Sequence, residues 1–158
     1  MLKKNLSFTL IELLVVMAIL ALLATVGLGS FNSVRIKSKD AQRKSDLSQI
    51  QKGLEMYYND KGQYPTSDGG GKIEGCDGST CDWGNPWEES SGVVYIKTLP
   101  SDPRYKYCYE SSDGTDYKIY ARLENERDLD CLNDDCSFIT CASEEVYNYE
   151  VSSANVTQ

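Results

Sequence analysis

The sequence predicts an α+β protein in which a long N-terminal hydrophobic helix continues into an amphipathic half packed on a small antiparallel sheet. Three observations carry this. Long aliphatic residues crowd into the first 31 positions of the 158-residue chain, and the remainder is polar, acidic and rich in tyrosine. Leu47, Ile50, Leu54 and Tyr57 then follow at 3-4-3 spacing, which lays one apolar stripe along a helix. Further on, short runs of β-branched and aromatic residues alternate with polar ones and are separated by turn residues.

The first segment is apolar all round. From Leu13 to Ala24 no residue is polar, and Phe8 to Phe31 covers 24 residues, enough for a helix to cross a bilayer. Glu12 is out of place in this run. A carboxylate at membrane depth costs about 2.5–3.5 kcal/mol or more, so it marks a function by default. An ordinary signal peptide has its basic region in Lys3 and Lys4 and a small-x-small site at Gly27-Leu28-Gly29, but it has no use for Glu12. A plain single-span anchor has none either. A helix buried in a soluble core is a poor fit, because the rest of the chain offers too little apolar surface to cover it.

The helix is expected to run from Phe8 to about Asn59, with Gly27 and Gly29 as its weak point. Gly62 and Pro65 mark its stop. Residues 66–92 are rich in Gly, Ser and Asp and form a loop pinned by a local disulfide, with Cys76 and Cys81 inside it. Trp83 and Trp87 are expected to cover the core or to lie at a contact between subunits. Strand signals follow at Val93–Ile96, Tyr105–Tyr109 and Tyr117–Leu123, the last two flanking a hairpin turn at Ser111–Thr115. Val146–Val151 reads as a final strand.

Composition excludes several classes of function. The net charge of −8 argues against a nucleic-acid partner, because phosphates must be neutralised by Lys or Arg. Histidine is absent, which removes the commonest general base and metal ligand. With neither a G-x-S-x-G nor a phosphate loop, no enzyme is expected. Six cysteines, Cys76, Cys81, Cys108, Cys131, Cys136 and Cys141, all lie in the polar part. An even number in a core-poor head points to disulfides in an oxidising compartment. The rival reading is zinc, whose ligand pairs are usually set closer than the four-residue gaps found here. Six cysteines allow 15 pairings, so their connectivity stays open. The acidic stretch Glu124–Asp135 offers Asp128, Asp130, Asp134 and Asp135 as oxygen ligands for calcium, without the turn glycine of an EF-hand. Its rival reading is a solvated loop.

Lys3-Lys4, the small Ser7 and Phe8-Thr9-Leu10-Ile11-Glu12-Leu13 resemble the processing motif of type IV pilins and type II secretion pseudopilins. Asp40–Pro65 and Leu99-Pro100-Ser101-Asp102-Pro103 resemble the same family, particularly its major pseudopilins. The resemblance implies a pilin-like fold in three parts: a leader 1–7, a membrane and filament-core helix 8–31, and an extracytoplasmic head 32–158. It implies cleavage between Ser7 and Phe8 by a membrane peptidase and methylation of the new amine. It implies copies of the chain as partners in a helical filament, Glu12 as the assembly residue, and a membrane platform for assembly. It further implies a calcium-binding loop near Glu124–Asp135. The family usually has Gly where this chain has Ser7. Lysine and arginine flanking the span would put the head in the cytoplasm, whereas the cysteines and the resemblance put it outside. The basic residues Arg35, Lys37, Lys39, Arg43 and Lys44 are then expected near the outer lipid headgroups or on a solvated helix face. The alternative is a binding module exported by a signal peptide or held by a single anchor; an ordinary signal peptide would leave a mature chain beginning at Ser30 rather than Phe8.

Overall fold

The computed structural model describes residues 8–76, 79–132, 136–142 and 145–154, with residues 26–30 described as helix backbone only. The described chain forms two compact units, one ending at Ser38 and the other beginning at Lys39. Helix α1 (Leu10–Lys61) contributes to both and is helical through Gly27 and Gly29.

In the first unit α1 opens with a reciprocal cap. The Thr9 backbone N–H donates to Glu12 Oε2 at 2.9 Å, the Thr9 hydroxyl donates to the same oxygen at 2.8 Å, and the Glu12 N–H donates back to Thr9 Oγ1 at 3.3 Å. Thr-x-x-Glu is the capping box that satisfies the first orphan donors of a helix. Beyond it the apolar side chains are uncovered: Leu13 is 61% exposed and Leu22 70%. Among the described residues no helix is long and apolar enough to cross a membrane; the side chains of residues 26–30 are not among those described.

The second unit is the head. Leu47, Ile50 and Leu54 of α1 are fully buried in one cluster with Trp87, Leu99, Tyr109, Tyr117 and Ile119. Trp83 and Tyr57 pack against that cluster, so both tryptophans serve the core. Gly53 sits on the same helix face. A Cβ there would come within 2.5 Å of Ile96 Cδ1, and this lets strand and helix approach closely. The helix stops where Gly62 takes φ 74° and its N–H donates to the Tyr58 carbonyl at 2.8 Å, an αL cap that glycine adopts without a Cβ penalty.

Among the described residues nine short strands follow: β1 (Glu74–Cys76), β2 (Ser79–Thr80), β3 (Trp87–Glu88), β4 (Val94–Ile96), β5 (Cys108–Glu110), β6 (Lys118–Ala121), β7 (Ile139–Thr140), β8 (Val146–Tyr147) and β9 (Tyr149–Ser152). β5, β6 and β9 form an antiparallel three-stranded sheet in that order, and β1–β2, β3–β4 and β7–β8 form antiparallel pairs. Three expectations change. Residues 66–92, expected as a loop, carry β1, β2 and β3. Val94–Ile96 pairs with β3 in a separate ribbon rather than joining the main sheet. The run Val146–Val151 is split at Asn148, with β8 on β7 and β9 on β6. Asn148 is fully buried, and its side chain stands in for a ladder. Its Oδ1 accepts from the Leu123 N–H at 2.7 Å, and its Nδ2 donates to the Leu123 carbonyl at 3.2 Å.

Tyrosines fill much of the core, and several hydroxyls reach acceptors, as buried phenols require. Tyr107 donates to Asp46 Oδ2 at 2.6 Å, Tyr109 to the Pro65 carbonyl at 2.6 Å and Tyr117 to Glu55 Oε1 at 3.2 Å.

Candidate functional site: the capped apolar helix and the acidic loop

Of the two residues at the expected cleavage point, Ser7 lies outside the described residues, and Phe8 sits exposed just before the cap. Glu12 is the only acidic residue in the first turn of α1, held by Thr9. The capping geometry was missed in the sequence reading, although the Thr9-x-x-Glu12 spacing signals it.

All six cysteines are paired: Cys76–Cys81, Cys108–Cys141 and Cys131–Cys136. Zinc is thereby set aside for them, and the loop disulfide expected at Cys76 and Cys81 is present. Cys108–Cys141 ties β5 to the segment after β7, and the third bridge closes the acidic stretch.

The basic run departs most from expectation. Arg43 faces neither lipid nor solvent: it is 1% exposed. Its guanidinium meets three carboxylates, Asp40 Oδ1, Asp102 Oδ2 and Glu124 Oε1, each at 2.8 Å. Burial works against its charge, and the hydrogen bonds to Asp102 and Glu124 more than offset this, so it stays protonated. Asp40 in turn accepts the backbone N–H groups of Glu124 and Asn125 at 2.9 and 2.8 Å. Asp102 Oδ1 accepts those of Arg104 and Tyr105 at 2.7 and 2.8 Å. The Leu99–Pro103 segment is thus a turn whose aspartate grips the helix through Arg43. Arg43, Arg104 and Arg122 all lie within 4.6–5.4 Å of the Tyr105 ring centre.

Lys44 also points into the head. Its Nζ bonds Asp128 Oδ1 at 2.5 Å and Asp130 Oδ2 at 2.6 Å. These are the two described members of the expected calcium set; Asp134 and Asp135 lie outside the described residues. Among the described residues no group of three or more acidic or cysteine side chains is placed to hold a metal.

An uncovered apolar helix joined to a disulfide-bonded α+β head defines a pilin-like subunit. The chain matches the prokaryotic N-terminal methylation motif over residues 2–28 and the family of type II secretion system protein G over residues 32–128. It is 30% identical to a type II secretion system core protein G of Vibrio cholerae over 120 residues, covering 72% of this chain and 77% of the relative. It is 30% identical to the core protein G of Aeromonas hydrophila over 101 residues, 64% of this chain and 68% of that one. To the type IV major pilin protein PilA of Myxococcus xanthus it is 31% identical over 61 residues, 39% of this chain and 28% of the pilin. No solved structure matches significantly. The chain belongs to the type II secretion system protein G family.

Proposed function

We propose that this chain is the repeating subunit of a type II secretion pseudopilus, a structural protein that polymerises through its N-terminal helix. The observation that carries this is the uncovered apolar helix behind a methylation motif. A soluble monomer rarely exposes an apolar surface of this size, and such a surface marks a membrane or protein contact. The helix 8–31 first holds the subunit in the cytoplasmic membrane as a single span, with the head outside, where its disulfides form. A prepilin peptidase cuts between Ser7 and Phe8, and the Phe8 amine is methylated. A membrane assembly platform then draws subunits out, so that one helix packs on the next. A head-to-tail contact that does not close gives a filament rather than a ring. The family match across the head favours a pseudopilus over a surface pilus, because the likeness to the Myxococcus pilin reaches only 61 residues.

Intact mass and N-terminal sequencing of protein extracted from the membrane test the reading. A mature chain beginning at a methylated Phe8 supports it. A mature chain beginning at Ser30 overturns it in favour of an exported binding module.

A further inference from the structure

We infer that Lys44 is the built-in cation of the acidic loop, filling the position a calcium ion would otherwise take, so that this head folds without calcium. The argument begins with charge. Asp128 and Asp130 aim one carboxylate oxygen each at a single point, and two carboxylates so placed repel unless a cation lies between them. That cation is the Lys44 ammonium, which bonds both at 2.5 and 2.6 Å. It comes from helix α1, 84 and 86 residues away in sequence, so the pairing fixes the loop to the helix. The Asp128 Oδ1 that Lys44 binds also accepts the Asp130 backbone N–H at 3.0 Å, which turns the loop around the ammonium. The Lys44 Nζ also lies 5.5 Å from the Tyr149 ring centre on β9, which gives the charge an aromatic neighbour.

The described donors do not suit calcium. That ion takes about six to eight oxygens at about 2.3–2.6 Å, whereas here two carboxylates are already satisfied by an ammonium. To admit the ion, Lys44 would have to leave both partners. The loop also has supports that need no metal. Cys131–Cys136 closes it covalently, and the Leu132 N–H donates to the Asn148 carbonyl at 2.9 Å.

The test is a thermal melt of the full chain, oxidised and in detergent, followed by the fluorescence of Trp83 and Trp87. It is run in EDTA and in millimolar calcium. The wild type is expected to melt at the same temperature in both. Lys44→Gln is expected to melt at least about 4 °C lower in EDTA, and Lys44→Arg to stay near the wild type. A wild-type midpoint that rises with calcium, as mass action demands of a native-state ligand, overturns the inference. So does a Lys44→Gln variant that melts like the wild type in EDTA. If Lys44→Gln fails to fold, the wild-type comparison and the Lys44→Arg variant still decide.

Discussion

Asp40 and Arg43 lie one turn apart on helix α1, and their side chains meet at 2.8 Å inside the head, each 1% exposed. The pair continues the apolar stripe. Positions 40, 43, 47, 50, 54 and 57 keep the same alternating spacing of three and four, so they share the face that the head covers. The buried face therefore begins as an ion cluster and continues as a hydrocarbon core.

Removing one partner from that cluster leaves uncompensated buried charge. Arg43→Ala leaves Asp40 and Asp102 without their cation, while Glu124 keeps Arg104 and Lys39, and is expected to cost about 3–5 kcal/mol. Arg43→Lys keeps the charge but cannot reach three carboxylates in a planar fork, so it is expected to recover only part of the loss. Urea denaturation of the oxidised chain in detergent measures both. Equal stability of Arg43→Ala and the wild type would remove the cluster from any structural role.

Stability should vary with pH in two limbs around a plateau. On the acid side, Glu124 is held below its ordinary value, chiefly by Arg43. For Asp102, burial raises the carboxyl, but bonds from the Tyr105 N–H and Arg43 more than offset it. Depressed carboxylates lend stability that is present above about pH 4–5 and is lost as pH falls through their folded values. On the alkaline side, burial raises Tyr107 and Tyr117, and raises Tyr64 to about 12. A raised tyrosine lends stability that is present below about pH 10 and lost above it. With no histidine to titrate between, the melting temperature should stay flat from about pH 5.5 to 9. A clear inflection near neutral pH would contradict this.

The stripe at Leu47, Ile50 and Leu54, the helix stop at Gly62 and the hairpin between β5 and β6 were legible in the sequence because each is a local pattern. The fate of Arg43 and Lys44 was not, because charged residues after an apolar span read as solvated until their partners are placed. Apart from Asp40, those partners lie 59 to 86 residues away. The signal at hand was phase: Arg43 falls on the stripe. Asn148 was missed for a similar reason. Its neighbours alternate like one strand, and only its side-chain bonds to Leu123 show that the strand changes partner there.

The three disulfides should differ in weight. Cys108–Cys141 joins residues 33 apart, whereas the other two join residues five apart. Cross-link stabilisation grows with the loop it closes, about 3–4 kcal/mol for the long one and about 2 for each short one. Cys108 and Cys141 also form a small buried cluster with Tyr120 and Tyr147. The Cys108→Ala/Cys141→Ala pair is therefore expected to lower the urea midpoint more than either short-loop pair. The opposite ranking would show that strain or residual denatured structure outweighs loop length.

Glu12 has two jobs to separate, capping its own helix and serving assembly. The cap needs an acceptor that reaches back to Thr9, and glutamine supplies one as well as glutamate does. Assembly, as proposed, needs the negative charge. After cleavage the Phe8 amine and the Glu12 carboxylate both lie in an apolar setting, where an unpaired charge costs several kcal/mol. The carboxylate of an incoming subunit meeting the amine of the one before it would satisfy both and set the axial step. Three variants resolve the roles. Glu12→Gln keeps the cap and loses the charge. Glu12→Ala loses both, at about 1 kcal/mol for the cap. Thr9→Ala loses the cap and keeps the charge. The expectation is that all three are cleaved before Phe8, that both Glu12 variants form few filaments, and that Thr9→Ala forms them near wild-type yield. Sheared filament yield, with the mature mass as control, reads the result. Normal filaments from Glu12→Gln beside poor ones from Glu12→Ala and Thr9→Ala would make Glu12 a capping residue and nothing more, and uncleaved Glu12→Gln would move its role to peptidase recognition.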